Sequence, residues 1–395
     1  MRLLFLTPKL PFPPISGSSI KSFRVLEHLS QLHDVSIGCF LTNEEDERNT
    51  ESLTALISNI DVFHSFLNIP RTPKNLFKSY FANIPLTIYR NRSKAFRALV
   101  EERAYNYDVI FVDHYLMYQY VPKSYQGRVV VHQHNAEHVM WFRYAGLTSN
   151  IIKKFAIYFE ALRIKRYEID MCRVANKVLT APNDKIALTK AGVSVQKFID
   201  TYHLGNESSL TAPEMVFEDT SVSILFIGTL TWEANVDGLI WFLEVCWPII
   251  QQSIPEVTFS IVGRYNDAIK RRVHSLNQNI QLLGYVENLE EVYKTHRVCV
   301  APLRFGSGIK VKVVDGLYRG IPMVTTNIGA EGLSLVHGEH LFIESDKEGF
   351  ARSVILLLKN KAEWQRLSSN SRQIMKEKYT WESVFENIDE SLKYV

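Results

Sequence analysis

The stretch Arg304-Phe305-Gly306-Ser307-Gly308-Ile309-Lys310-Val311-Lys312 puts two glycines in a turn and two lysines just after it. It follows a strand-like apolar run, Val298–Ala301, and leads into helical character to about Arg319, with both lysines on the first helical turn. Glycine lets backbone N–H groups approach a ligand closely, a helix N-terminus adds partial positive charge, and lysines add fixed cations. That is the chemistry of anion binding, and a phosphate suits it best. Asp315, five residues past Lys310 in the same helix, could accept hydrogen bonds from ribose hydroxyls. The bland alternative is a solvated basic turn.

A second glycine turn lies near the N-terminus, at Pro13-Pro14-Ile15-Ser16-Gly17-Ser18-Ser19. Gly17 and Ser18 stand where a first strand gives way to a helix, which again fits a phosphate; a plain turn with a serine N-cap reads equally well. His134 comes just past the run Val129–His132, at the carboxyl end of a strand, where doubly wound sheets hold ligands. It is either a ligand-facing histidine or a packed one. His132, His134 and His138 also have a spacing that could serve a metal, but no Cys or carboxylate cluster completes a ligand set. No metal is expected.

Two sets of elements position these residues. Strand-length apolar runs at Arg2–Leu6, Asp34–Phe40, Val62–Phe66, Val109–Val112, Val129–His132 and Val178–Ala181 alternate with helix-like segments. A second set follows at Ser223–Ile227, Val257–Val262, Ile280–Leu283, Val298–Ala301, Met323–Thr325 and Leu341–Ile343. Between strands, Ser18–Leu32 repeats Ile20, Phe23, Leu26, Leu29 and Leu32 every three residues, a helical stripe. Apolar strands alternating with helices imply parallel sheets covered on both faces. The expected fold is therefore α/β, with two Rossmann-like domains and a ligand cleft between them. The polar stretch 205–221 marks the boundary, giving domains at 1–205 and 206–378; a C-terminal helix within 379–395 is expected to pack back on the first.

A length of 395 residues agrees with two domains, and 46% hydrophobic with 22% charged residues is ordinary for a globular protein. Cys39, Cys172, Cys246 and Cys299 form no pair pattern, which fits buried thiols in a reducing cytoplasm. The opening MRLLFLTPKLPFPP is too short in apolar residues for a signal peptide, and no run approaches the ~18 apolar residues of a membrane span. Charge is uneven. Residues 1–205 carry 26 Lys and Arg against 18 Asp and Glu, and the remainder 19 against 24. The segment IIKKFAIYFEALRIKR (151–166) reads as a basic amphipathic helix, and Arg71–Arg97 is basic and rich in aromatics. Both could lie on an anionic membrane surface or pack into their own domain.

The chain also resembles the family 4 retaining glycosyltransferases, which share the two-domain GT-B fold. Gly320-Ile321-Pro322-Met323-Val324-Thr325-Thr326 and Ala330-Glu331-Gly332 match the run that follows their donor-binding signature. Ser16-Gly17 resembles their N-terminal diphosphate loop, and His134-Asn135-Ala136-Glu137 an HN-x-E segment of cell-surface polysaccharide members. Arg166-Tyr167-Glu168 and Asn183-Asp184 fall at their R-x-E and S-x-x-D stretches. Phe226-Ile227-Gly228-Thr229-Leu230-Thr231-Trp232, with Asn235, resembles the opening of their second domain. Two departures stand out. Of the family's Glu–seven residues–Glu pattern, the first acid falls on Ser307 and the second on Asp315; the cations usual near 229–235 are replaced by Thr229, Ala234 and Asn235.

The resemblance implies transfer from a nucleotide-sugar, a UDP- or GDP-sugar, held by the 206–378 domain, to a glycan or lipid-linked acceptor bound by the 1–205 domain, with no cofactor and no nucleic acid. His134 and Lys310 are the implied catalytic residues. Gly17, Ser18, Gly228, Arg264, Gly306, Ser307, Gly308, Ile309, Lys310, Lys312 and Asp315 would bind the donor, with Lys310, Lys312 and Arg264 standing in for the absent cations. No Asp-x-Asp occurs, which argues against a metal-dependent single-domain glycosyltransferase. A cytoplasmic protein on the inner face of the membrane is implied. The alternatives are a GT-B sugar-nucleotide epimerase and a degraded GT-B binding protein. A dinucleotide-dependent oxidoreductase fits poorly, since the first turn offers Gly17 alone where G-x-G-x-x-G is needed.

Overall fold

The computed structural model describes residues 1–14, 17–70, 72–274 and 279–393. Ile15, Ser16 and Arg71, which belong to the first turn and the basic stretch above, lie outside the described residues. The chain forms two compact units, Met1–His203 with Glu382–Val395, and Leu204–Trp381.

The first unit is built on β1 (Arg2–Leu6), β2 (Asp34–Leu41), β3 (Asp61–Phe66), β4 (Val109–Asp113), β5 (Arg128–His132), β6 (Lys177–Thr180) and β7 (Phe198–Asp200). They pair in parallel in the order β3-β2-β1-β4-β5-β6-β7. The central strands read as unbroken apolar runs because helices bury both faces, and Leu3–Leu6 and Val109–Val112 are fully buried. Helix α1 (Gly17–Leu32) inserts Phe23, Leu26 and Leu29 of its stripe into the core, while Leu32 at its end is exposed. The other helices that matter are α2 (Pro73–Phe81), α3 (Glu137–Leu147) and α4 (Ile151–Val174). Asn150 caps α4 by accepting from the Lys153 amide at 2.9 Å. In the C-terminal helix, Trp381–Leu392, Phe385 stacks on the His28 ring at 4.2 Å and Asp389 bonds His28 Nε2 at 2.9 Å.

The second unit holds β8 (Ser221–Ile227), β9 (Thr258–Val262), β10 (Ile280–Gly284), β11 (His296–Ala301), β12 (Met323–Thr325) and β13 (Phe342–Ile343). Their order, β10-β9-β8-β11-β12-β13, is again all parallel. Phe226, Phe242, Phe259, Trp247 and Val298 anchor its core. Helices α5 (Glu233–Trp241) and α6 (Val311–Arg319) follow β8 and β11. In both sheets the first strand sits where the order reverses, β1 beside β4 and β8 beside β11. Ligands of doubly wound sheets bind beyond the carboxyl ends of strands at such switch points. Among the described residues no helix is long and apolar enough to cross a membrane.

Candidate functional site

The switch point of the second sheet brings Gly228, directly after β8, beside the 302–310 loop that follows β11. Gly306 (φ 144°) and Gly308 (φ 69°) adopt backbone angles that side chains resist, so the loop needs glycine at both positions. Helix α6 starts at Val311, which corrects one expectation: Lys310 is the N-cap residue, and only Lys312 lies in the first turn. Lys310 is buried, and its Nζ donates to the Ser307 carbonyl at 3.1 Å and to the Gly308 carbonyl. Its ammonium therefore braces the loop from within. Ser307 and Ile309 are buried in the same loop.

Lys312 is placed differently. Its Nζ donates to Asn235 Oδ1 at 2.5 Å and lies 4.8 Å from the Phe226 ring centroid. A Cβ on Gly228 would stand 2.5 Å from Lys312 Nζ and 2.9 Å from Asn235 Nδ2, so glycine makes room for both. Asn235 in turn donates to the Thr229 carbonyl at 2.9 Å. A cation thus occupies the region where the resemblance left none, brought in by α6 and held by Asn235. Burial lowers the Lys312 pKa to about 7, with Lys310 adding to the effect. An anion bound there would hold the proton on.

The remaining donor-side candidates are scattered around this group. Asp315 spends Oδ1 on the Asn206 amide at 2.8 Å, and burial raises its pKa to about 6. Half of its hydrogen-bonding capacity is therefore structural. Arg264 follows β9, exposed, with its guanidinium 5.1 Å from the Tyr285 ring centroid. Arg304 is clamped by both oxygens of Asp237 at 2.8 and 2.6 Å.

In the first unit, Gly17 opens α1 and its carbonyl accepts from His203 Nε2 at 2.6 Å, while Ser18 is exposed beside a cavity of about 530 Å³. His134 lines the same cavity. Its Nε2 is 3.0 Å from Asp113 Oδ1, the oxygen that His132 Nδ1 meets at 2.8 Å; Ser22 Oγ donates to Oδ2 at 2.5 Å. Burial alone would raise the Asp113 pKa, but His134 and His132 outweigh it and hold the carboxyl well below its usual range. His132 is pushed down to about 3, by burial first and then by Lys21. Lys21 is itself buried, its pKa lowered to about 8 by burial against the pull of Asp113 and Asp184.

The histidine trio is not a unit. His138 bonds Glu168 Oε2 at 2.6 Å, and the amides of Glu137 and His138 donate to the same carboxylate at 2.8 and 3.0 Å. Gln133 Nε2 adds a fourth contact at 2.6 Å. Glu168 therefore caps α3 and fixes the 133–138 segment, a structural task for the R-x-E stretch, whose Arg166 points into solvent. Asp113 joins His132 and His134 instead, with ligand atoms within 4.8 Å of one another. The carboxylate missing from the local spacing comes from β4. We expect Glu168→Ala to cost about 3–5 kcal/mol by orphaning these buried donors, read as a Tm drop of roughly 10 °C or more in a thermal melt. An unchanged Tm would contradict the capping role.

Two doubly wound parallel sheets, one with a loop rich in glycine and lysine at its switch point, define a two-domain α/β protein. Solved structures share the arrangement. Anabaena HepE in complex with UDP-glucose aligns over 99% of both chains (TM-score 0.69, 15% identity), and TarM over 100% of this chain and 99% of its own (TM-score 0.71, 12% identity). The fold is GT-B. Residues 221–360, within the second unit, match the family model of glycosyl transferases group 1. An uncharacterized 44.6 kDa protein of the cps region of Klebsiella pneumoniae is 24% identical over 397 residues, 98% of each chain. A Mycobacterium tuberculosis glycogen synthase is 26% identical over 172 residues, 41% of this chain and 40% of that one.

Proposed function

We propose that the chain is a metal-independent, retaining glycosyltransferase of family 4. It moves a sugar from a UDP- or GDP-sugar to a glycan or lipid-linked acceptor of a cell-surface polysaccharide. The observation that carries this reading is the group Gly228, Asn235 and Lys312 beside the 306–310 loop. As the bond from the anomeric carbon to phosphate breaks, charge builds on the departing diphosphate. Lys312, the loop amides and the N-terminus of α6 stabilise it. The acceptor hydroxyl oxygen bonds to the anomeric carbon from the face the phosphate leaves, and its proton passes to the phosphate. Lys310 keeps the loop in shape, Asp315 retains one oxygen for the ribose, and His134, oriented by Asp113, contacts the donor sugar. The UDP-glucose bound to HepE and the cps location of the Klebsiella relative support this reading.

Metal independence rests on charge. Asp113, His132 and His134 could frame a cation, but the buried Lys21 ammonium beside Asp113 already balances the carboxylate. Transfer is expected to survive dialysis against EDTA within about 2-fold; loss restored by a divalent cation would refute it. The function itself is tested by incubating the protein with UDP- and GDP-sugars, with and without glycan acceptors. Acceptor-stimulated release of nucleoside diphosphate is expected. Sugar interconversion without release, or no turnover with any donor, would overturn the proposal.

The outer faces of α2 and α4 favour peripheral membrane association. Phe77 (65% exposed) and Phe81 (81%) on α2 stand in solvent, as do Ile152 (79%) and Phe155 (68%), which flank Lys153 and Lys154 on α4. Apolar side chains among cations suit an anionic headgroup layer, here the inner face of the cell membrane. The protein is expected to float with phosphatidylglycerol-containing vesicles and not with phosphatidylcholine alone, and Ile152→Asp with Phe155→Asp should abolish flotation. Equal flotation of that variant would contradict it.

A further inference from the structure

The cavity of the first unit contains a histidine that neither the sequence motifs nor the reaction scheme uses. His114 directly follows β4, and its backbone (φ 92°, ψ 133°) lies where residues other than glycine rarely go. Such angles persist only where the surroundings impose them, and they cluster at ligand sites. Here the His114 amide donates to the His132 carbonyl at 3.1 Å, and the ring sits 4.8 Å from Tyr115 and 5.2 Å from His134. His114 Nδ1 accepts from the Leu116 amide at 3.4 Å, which leaves the ring proton on Nε2. Burial, with the His134 charge next, lowers the pKa to about 3, so the ring stays neutral and keeps that tautomer.

Among the described residues the ring makes its one side-chain hydrogen bond at Nδ1 and none at Nε2, and the residue lines the cavity of about 530 Å³. That volume lies within the range of small-molecule sites. Loops after β1, β2 and β3 supply Thr7, Thr42 and Asn68 to the same wall, and Asn91 joins them. The one carboxylate there, Asp113, is already satisfied by Ser22, His132 and His134. Lys9, Arg90 and apolar side chains such as Phe40 and Leu116 complete the wall, and a fixed N–H donor among hydroxyl, amide and apolar groups matches the hydroxyl oxygens and C–H faces of a saccharide.

We propose that His114 is an acceptor-binding residue, its Nε2–H donating to a hydroxyl oxygen of the sugar that receives the transferred residue. The proposal rests on the glycosyltransferase reading, under which the nucleotide is held in the second unit and this cavity takes the sugars, His134 serving the donor sugar and His114 the acceptor. His114→Phe keeps a flat ring between Tyr115 and His134 but removes the donor; His114→Gln restores an N–H at similar reach.

The test uses octyl β-glycosides of glucose, galactose, N-acetylglucosamine and glucuronate as probes, titrated by saturation-transfer NMR in the presence of UDP. The glycoside that wild type prefers should lose roughly 10-fold in affinity in His114→Phe, as for a neutral hydrogen bond, and regain most of it in His114→Gln. UDP affinity, measured on the same samples, should stay within about 2-fold. Equal glycoside affinity in all three proteins, no glycoside binding to wild type, or a matching loss in UDP affinity would each overturn the proposal. Failure of wild type to bind any nucleoside diphosphate would instead sink the underlying glycosyltransferase reading.

Discussion

Lys312→Met is expected to lower kcat/KM for sugar transfer by about 10²–10³-fold, the range seen when one preorganised donor to a developing oxyanion is lost. The fold should survive, because Lys312 contributes one bond to Asn235 and a contact with the Phe226 ring. The same residue predicts a pH dependence. Its ammonium pKa is lowered to about 7 in the unliganded protein, and a bound diphosphate must raise it again. UDP binding is therefore strongest below pH 7 and weakens as pH rises, by up to about 10-fold per pH unit. Titration calorimetry between pH 6 and 9 reads this directly, and Lys312→Met should flatten the profile. An unchanged slope in the variant would assign the titration elsewhere. Lys310→Ala should also abolish transfer, by a different route: with the Ser307 and Gly308 carbonyls released, the loop is expected to become a site of limited proteolysis.

The second large effect is expected in the first unit. His134→Ala should reduce kcat by about 10²-fold or more through lost positioning of the donor sugar, with UDP affinity nearly unchanged. Asp113→Asn should reproduce the loss of kcat, because an amide cannot accept from Ser22, His132 and His134 as the carboxylate does. It should also lower Tm, since the buried Lys21 would lose its counter-charge. Steady-state kinetics beside a thermal melt separate the two consequences. A His134→Ala enzyme with wild-type kcat would remove the histidine from the mechanism.

Much of the scaffold was legible from local pattern. Runs such as Leu3–Leu6 and Val298–Ala301 are apolar because both faces of a parallel strand are buried, and both formed strands as expected. Strand β7, Phe198–Asp200, went unread because the two apolar residues between Lys197 and the terminal Asp200 are too short a signal. The site resisted where its partners are far apart in sequence. Lys312 meets Asn235 across 77 residues, and Asp113 meets His134 across 21, so no spacing rule reveals either pair. The His132–His134–His138 spacing misled for a related reason. Helix α3 begins at Glu137 and carries His138 to Glu168, whereas His132 ends a strand. Lys310 reads as a free cation in sequence, and only the fold shows two carbonyls already holding it.

The most direct test is a crystal structure of the protein soaked with UDP. The diphosphate is predicted to lie on the 306–310 loop, with a phosphate oxygen within hydrogen-bonding distance of Lys312 Nζ and Asn235 still supporting that lysine. Density for UDP away from Lys312, or a diphosphate held in the cavity beside His134 with the 306–310 loop empty, would contradict the account.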